Sequence, residues 1–408
     1  MISILECFSR EPTRAVTGRV VLSGQGGFIG LMIFLAVMMS PSALAGWTDP
    51  LNTPASPSNK ADQALLLDVT QAGNRLVAVG AYGHIVYSDN AGQRWQQGTV
   101  PVSVTLTAVD FVDEQHGWAV GHDGIILASR DGGQSWYKQF DGFQANQALA
   151  DAIKTQITEL EQQQSAAANA GNRQKEEDLE YELENVRFAL DDALFDIEKG
   201  STKPFLDVTF FSRNDGFAVG AYGMLFRTRD GGEQWDYAAT LFPNPDRMHL
   251  SQFHILQSGG WLVVGEMGLV ALSQDYGQNW ERLALPYDGS LFGALESGQE
   301  WLVFGLRGHV FASSDQGQSW RELHTGSEQT LLSGTVTDTG RVTLVGNAGT
   351  VLTIDRTPDS GTPMVNIHTL KGRTGLAAAA PVSDGWLLVG ETGARRMTQA
   401  ELKQAAGE

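Results

Sequence analysis

Cysteine is almost missing from this chain of 408 residues: its one copy is Cys7. Downstream of it there is no thiol for catalysis and no possible disulfide, so an exported form must be stabilised by packing alone. Basic residues are also scarce, 28 Lys and Arg against 47 Asp and Glu, a net charge of −19. Such a surface repels phosphate backbones and anionic headgroups, which excludes nucleic acid as a partner and argues against direct membrane binding. Long apolar runs are lacking too. The longest, Phe28 to Met39, is 12 residues, well short of the ~20 a spanning helix needs. No Walker-type or dinucleotide fingerprint follows a strand and opens a helix. His122 beside Asp123, with Glu266 elsewhere, lacks the spacing of a metal site. No cofactor or metal is expected.

What is present begins with a leader. Arg10, Arg14 and Arg19 precede the apolar run, which is followed by "SPSALAGW". This reads as a secretory signal over residues 1–45, with Ala43 and Ala45 at the small-residue cleavage positions and Gly46 starting the mature chain. An exported, periplasmic protein follows from it.

A marker of Val-Gly or Phe-Gly, two variable residues and Gly recurs seven times. Its first glycines are Gly80, Gly121, Gly220, Gly265, Gly305, Gly346 and Gly390, at intervals of 41, 99, 45, 40, 41 and 44. Strand-length apolar runs such as "RLVAVG" and "HIVYSD" flank each marker, with glycine expected to permit the positive φ of a tight hairpin. Short strands repeated every ~40 residues predict an all-β, seven-bladed β-propeller. The last blade lacks a fourth strand ending in tryptophan, so residues near Trp47 are expected to complete it and remove the unpaired edge.

After each marker comes Ser or Thr, then Asp, Gly and Trp at offsets 2, 4 and 7. The pattern is met by Ser129, Asp131, Gly133 and Trp136; by Thr228, Asp230, Gly232 and Trp235; by Ser273, Asp275, Gly277 and Trp280; and by Ser313, Asp315, Gly317 and Trp320. Blade 1 carries Ser88, Asn90, Gly92 and Trp95, and the sixth copy is degenerate. A turn carboxylate accepts backbone N–H groups, glycine supplies the left-handed conformation and tryptophan fills the space between blades. Four or five equivalent carboxylates around a ring are architecture; an active site needs one asymmetric constellation. No catalytic residue is assigned.

The repeated pattern resembles the Asp-box of sialidase-type propellers. A sialidase-like site implies an arginine triad, and Arg75, Arg213, Arg247, Arg307 and Arg341 are scattered. A more specific resemblance lies in Leu106 to Trp136 and Phe205 to Trp235. Their order of Phe, polar turn, Gly-Trp or Gly-Phe, Ala-Val-Gly, hairpin, Asp-Gly-Gly and Trp is similar to the photosystem II stability/assembly factor family. The likeness covers roughly residues 61 to 396 apart from the long gap. It implies a non-enzymatic assembly factor that docks onto a membrane protein complex from its lumenal or periplasmic side. In a non-photosynthetic relative, a transporter of the resistance-nodulation-division type is an alternative client. A sialidase-like glycan-binding or glycan-cleaving protein is the alternative class.

The 99-residue interval contains a segment of helical period. Leu149, Ile153, Ile157 and Leu160 form one stripe, and Leu179, Leu183, Val186, Leu190, Leu194 and Ile197 another. With "NAGNR" as the turn, this predicts an antiparallel α-helical hairpin inserted between blades 2 and 3, each arm about 38 Å long. Residues 151–199 carry 13 acidic and 5 basic side chains, so its outer faces are anionic. The expected domains are therefore the signal at 1–45, blades 1–2 with the closing strand at 46–142, the hairpin at 143–200 and blades 3–7 at 201–408.

If the blades share one orientation, the seven hairpin tips line one face. That face would carry Tyr82, His122, Asp123, Tyr222, Glu266, Met267, Arg307, Asn347 and Glu391, residue types suited to a protein partner.

Overall fold

The computed structural model describes residues 48–337, 339–355 and 363–405. The leader and Trp47 lie outside them. Among the described residues, strands form seven antiparallel sheets taken in chain order, six of four strands and one of three. They cover residues 66–97, 106–140, 205–237, 250–282, 291–322, 331–369 and 376–398. This is the seven-bladed propeller the repeat rhythm predicts.

The first strand of each blade lines a central channel. The second is buried along its whole length in Gly117–Gly121, Gly216–Gly220 and Trp261–Gly265, and in blades 1 and 5 all but its first residue, Arg75 or Glu300, is buried. A strand sandwiched between two neighbouring blades has no solvent face, which is why "WAVG" and "WLVVG" do not alternate. Blades pack on each other through these strands, Val77 and Val79 against Val109 and Ala119 for example. The ring closes when Val69, Leu76 and Ala78 of blade 1 meet Ala378, Ala380, Leu387 and Val389 of blade 7. Each of the buried Val and Leu side chains contributes about 1.5–3 kcal/mol relative to exposure, and the alanines less.

A β-bulge opens the first strand of all seven blades, between Leu66 and Asp68 in blade 1 and at the matching place in the others. It bends each strand as it enters the channel. The two marker glycines are required for different reasons. The second has the expected positive φ, as at Gly83 and Gly268. The first is extended, with φ −177° at Gly80 and −174° at Gly346. Its constraint is space: a Cβ on Gly80 would lie 2.1 Å from the Leu65 carbonyl oxygen, and one on Gly346 1.9 Å from that of Thr330.

The Asp-boxes close the turn between third and fourth strands. In blade 2 the Ser129 hydroxyl accepts from the Gly133 N–H at 2.9 Å and donates to Asp131, while Asp131 accepts from the Ser135 N–H at 2.9 Å. Asn90 reproduces this geometry in blade 1 with its amide oxygen. Each tryptophan packs toward the preceding blade, Trp136 against blade 1 and Trp235 against blade 2.

The seventh sheet has three strands among the described residues, and the short helix α3 (Gln399–Ala405) follows it, burying Leu402 beside Trp386 and Met397. The chain from Thr48 onward first runs along blade 1, where the Ala55 N–H bonds to the Val100 carbonyl at 3.1 Å. It then passes the last strand of blade 7, where Gly393 faces the Asp62 carbonyl. Strand pairing by Trp47 lies outside the described residues.

The insertion is a helical hairpin of α1 (Gly142–Asn169) and α2 (Arg173–Lys199). Asp141 and Gln144 form a capping box at its start, and Gly200 ends it with φ +89°. The two helices bury each other: Leu160 and Ala167 meet Leu179 and Leu183, and Ala150 and Ile153 meet Ala193. One expectation fails here. Leu194 is 42% exposed, and Ala193 is fully buried in its place. The seam therefore reads 179, 183, 186, 190, 193, 197, an unbroken heptad alternation of 4 and 3. Close approach of the helices at Ala150 favours the smaller side chain, so hydrophobicity alone selects the wrong neighbour.

Candidate protein-binding face and channel

Each hairpin tip is a single tight turn fastened to the start of its own blade. The first tip residue donates its N–H across to that strand in every blade, from Ala81 to Leu65, His122 to Thr105, Ala221 to Pro204 and so on to Glu391 and Gly375. The following residue is held at positive φ in six of them: Tyr82, Asp123, Tyr222, Met267, Arg307 and Ala348 lie between 54° and 60°. Bulky residues seldom adopt this conformation. Here it is fixed by the flanking glycine and by the loop that leads into the next blade.

The tips share one end of the channel, because every blade has the same strand order and direction. The predicted residues divide into three groups there. Tyr82, Tyr222, Met267 and Arg307 are exposed, the first three at 70, 55 and 55%. His122, Asp123 and Asn347 are half-buried beneath them. Glu266 and Glu391 are tied back into their blades, accepting the N–H of His249 at 2.9 Å and of Gly375 at 3.1 Å. The Asp-box residues sit in the outer turns, as architecture.

The hairpin arises from this same end. The Ser201 hydroxyl donates to the Asp123 carbonyl, and Gly142 packs against Gly124. Beside this root Tyr222 is flanked by the His249 ring at 4.9 Å and by the Lys203 ammonium at 5.4 Å, while His249 Nδ1 meets Glu266 at 3.0 Å. The scattered arginines do not converge. Arg75, Arg213 and Arg341 pair with Asp89, Asp113 and Asp355 near the opposite ends of their blades.

The channel holds residues that the repeat comparison passes over. Asp68, Asp110 and Asp207 project from the first strands of blades 1, 2 and 3 into a cavity of about 580 Å³. Each accepts a backbone N–H from the next blade: Val109 to Asp68 at 2.9 Å, Phe210 to Asp110 at 2.7 Å, Phe253 to Asp207 at 2.9 Å. Gln252 does the same for Ala294 in blade 5 at 2.6 Å. Enclosure by protein strips bulk water from the carboxylates and pushes Asp68 and Asp110 up to about 6, and Asp207 well above the ordinary range, with the backbone bonds pulling the other way. Among the described residues no Lys or Arg lines the cavity, and burial lowers its histidine, His254, to about 4, so it is neutral at pH 7. A signal existed in the sequence: "LDVT" occurs at both 67–70 and 206–209. An aspartate inside an apolar strand needs a specific partner.

Among the described residues, no group of three or more acidic, His or Cys side chains is gathered to hold a metal ion, and no helix is long and apolar enough to cross a membrane.

The sequence profile described as photosynthesis system II assembly factor YCF48 matches residues 60–161 and 191–365. The chain belongs to this family. The two matched stretches flank and partly enter the hairpin, leaving residues 162–190 unmatched. Among curated relatives, the photosystem II assembly lipoprotein Ycf48 of Synechococcus sp. (strain CC9902) is 38% identical over 80 residues, 20% of this chain and 24% of its own length. The chloroplastic photosystem II stability/assembly factor HCF136 of Cyanidioschyzon merolae is 30% identical over 104 residues, 25% of this chain and 17% of its own. The aligned part thus spans at most about a quarter of either relative. Among solved structures, YCF48 bound to D1 peptide superposes with a TM-score of 0.55 at 17% identity, covering 84% of this chain and 97% of that one. The WD40 propeller domain of Doa1 gives 0.54 at 10% identity, covering 86% and 98%. These structural likenesses concern the fold.

Proposed function

We propose that this protein is an exported, non-enzymatic assembly factor that binds a membrane protein on its periplasmic or lumenal side and assists the assembly or function of its complex. The observation that carries this reading is the tip face, where Tyr82, Tyr222 and Met267 are exposed at positive φ, with Tyr222 beside the root of the helical hairpin. A backbone already fixed at the tips lowers the ordering cost of docking, Tyr adds little with its two side-chain torsions, and Met adapts its shape to a protein surface. Family membership supports the same class, and the solved structure of YCF48 holds a bound D1 peptide. The proposal carries over that mode of action, with a photosystem II subunit as client in a photosynthetic host and a transporter of the resistance-nodulation-division type in another.

A glycan-cleaving role has weaker support. The box carboxylates are spent within their own turns, and the channel carboxylates hold the neighbouring blade.

The test is crosslinking and recovery from membranes of the native host, comparing the intact protein with one whose tips carry Tyr82→Ser, Tyr222→Ser and Met267→Ser. Recovery of one membrane complex by the intact protein, lost in the triple variant, is the expected result. Equal recovery by both removes the tip face from the mechanism, and recovery of nothing by the intact protein overturns the client reading.

A further inference from the structure

The seam that joins α1 to α2 places the remaining heptad positions of α2. With Leu179, Leu183, Val186, Leu190, Ala193 and Ile197 facing α1, the position diametrically outward falls at Gln174 in the first turn and then at residues 181, 188 and 195. The last three are aromatic. Tyr181 is 69% exposed, Phe188 62% and Phe195 56%. The corresponding outward positions of α1 are the polar Thr155 and Gln162. Aromatics at three consecutive outward heptad positions of one helix, where a two-helix hairpin gains nothing from them, make a ladder about 21 Å long.

The ladder is interleaved with carboxylates. Glu177, Asp178, Glu184, Asp191, Asp192 and Glu198 lie three or four residues from its rings and are exposed, and none of them has an ion pair with a basic side chain among the described residues. One cation does reach the ladder. Lys199, from the same helix, lies over the Phe195 ring at 4.9 Å, which shows the contact this surface offers a partner.

We propose that the outward face of α2 is a docking seam for one α-helical segment of a partner protein, apolar at heptad spacing and flanked by Lys or Arg. A strict seven-residue spacing keeps a stripe in register with a second helix that wraps around the first, whereas a flat surface would be met by only part of it. The acidic rows select the charge of the partner and disfavour other occupants. A second copy of this chain would set like charge against like, and anionic lipid would be repelled by the same rows. The inference deepens the client reading by naming the chemistry of the contacted segment, and rests on that reading for the segment's owner.

The test uses the whole mature protein and an amidated 28-residue peptide with Leu at a and d and Lys at the flanking positions, beside the same peptide with Glu for Lys. Binding is read by fluorescence anisotropy at two salt concentrations. The expected result is binding of the Lys peptide, weakened by salt, with at least tenfold lower affinity for the variant Tyr181→Ser, Phe188→Ser, Phe195→Ser. These positions face solvent, and unchanged helical circular dichroism verifies that the hairpin persists. A second variant, Glu184→Lys with Asp191→Lys, should lose the Lys peptide and gain the Glu peptide. Failure of the intact protein to prefer the Lys peptide, or equal binding by the triple-Ser variant, overturns the proposal. So does ladder-dependent binding to phosphatidylglycerol vesicles in place of the peptide, or a ladder-dependent dimer in sedimentation. The photocrosslinker p-benzoylphenylalanine at position 188 separates the two readings in the host. A membrane complex recovered without a crosslink at 188 sinks the seam and leaves the client; peptide binding with no complex recovered keeps the seam and sinks the client.

Discussion

The Asp110 carboxylate accepts the backbone N–H of Phe210 at 2.7 Å, across a hundred residues of sequence and the entire helical insertion. The same junction carries Trp118 stacked on the Phe210 ring at 3.5 Å, Thr107 donating to the Phe205 carbonyl at 2.7 Å and Arg213 paired with Asp113 at 2.7 Å. Blades 2 and 3 are joined to each other directly, and the hairpin is a side branch. Its two ends meet through Asn146, whose amide donates to the Gly200 carbonyl at 3.0 Å.

Replacing residues 142–200 by a short Gly-Ser linker is therefore expected to leave a cooperatively folding propeller. Circular dichroism should lose its helical component, and thermal unfolding should remain a single transition shifted by no more than several degrees. A collapse of cooperativity would mean that the hairpin is part of the propeller core.

The channel aspartates give a pH dependence of definite sign. Asp68 and Asp110 are raised to about 6 in the folded chain, above the ordinary carboxylate value near 4. The folded state thus binds their protons more tightly than the unfolded state. The stability they contribute is full below about pH 4 and is lost as pH rises through 6. Asp110→Asn keeps an oxygen to accept from Phe210 without a charge, and is expected to match or exceed the parent at pH 7.5 and to flatten the gain on going from pH 8 to 5. Asp110→Ala leaves the Phe210 N–H without its partner and should cost about 1–3 kcal/mol. Melting temperatures of the three proteins across pH 5–8 check both statements.

The Asp-box carboxylates behave oppositely. Hydrogen bonds from the Ser319 side chain, the Ser319 backbone and Ser313 hold Asp315 down at about 2. Its contribution is present above about pH 4 and fades as pH falls toward 2. At neutral pH the buried hydroxyl matters more. Thr228→Val removes the acceptor of the Gly232 N–H, 2.8 Å away, and should lower stability by about 1–3 kcal/mol in denaturant titration. Asp131→Asn should cost less than Thr228→Val, because Asn90 already fills the backbone-accepting role in blade 1 and the loss is confined to the oxygen that accepts from the Ser135 hydroxyl.

Two glycines of positive φ separate backbone strain from lack of room. Gly259 has φ +89° with nothing near a prospective Cβ, and Gly268 has φ +64° with the Tyr287 carbonyl oxygen 1.9 Å away. Gly259→Ala should cost about 1 kcal/mol and Gly268→Ala at least twice that, since it also displaces the loop into blade 5. Equal costs in chemical denaturation would show that the loop yields freely.

The amino-acid sequence determined the features whose physics is local. A 40-residue rhythm of strand and turn counts the blades. Ser or Thr, Asp, Gly and Trp at fixed offsets specify a turn that closes on its own atoms, and a change of period from strand to helix marks the insertion and its turn at "NAGNR". Tertiary structure decided what depends on residues far apart in sequence. It sets the extended first glycine of each marker against a carbonyl some fifteen residues earlier, and commits Asp68, Asp110 and Asp207 to the next blade along. It also buries Ala193 in place of Leu194, because the spacing between two helices, which no single helix contains, chooses the smaller side chain. That choice turns Tyr181, Phe188 and Phe195 outward, where hydrophobicity read along one helix would have hidden them in the general apolar count.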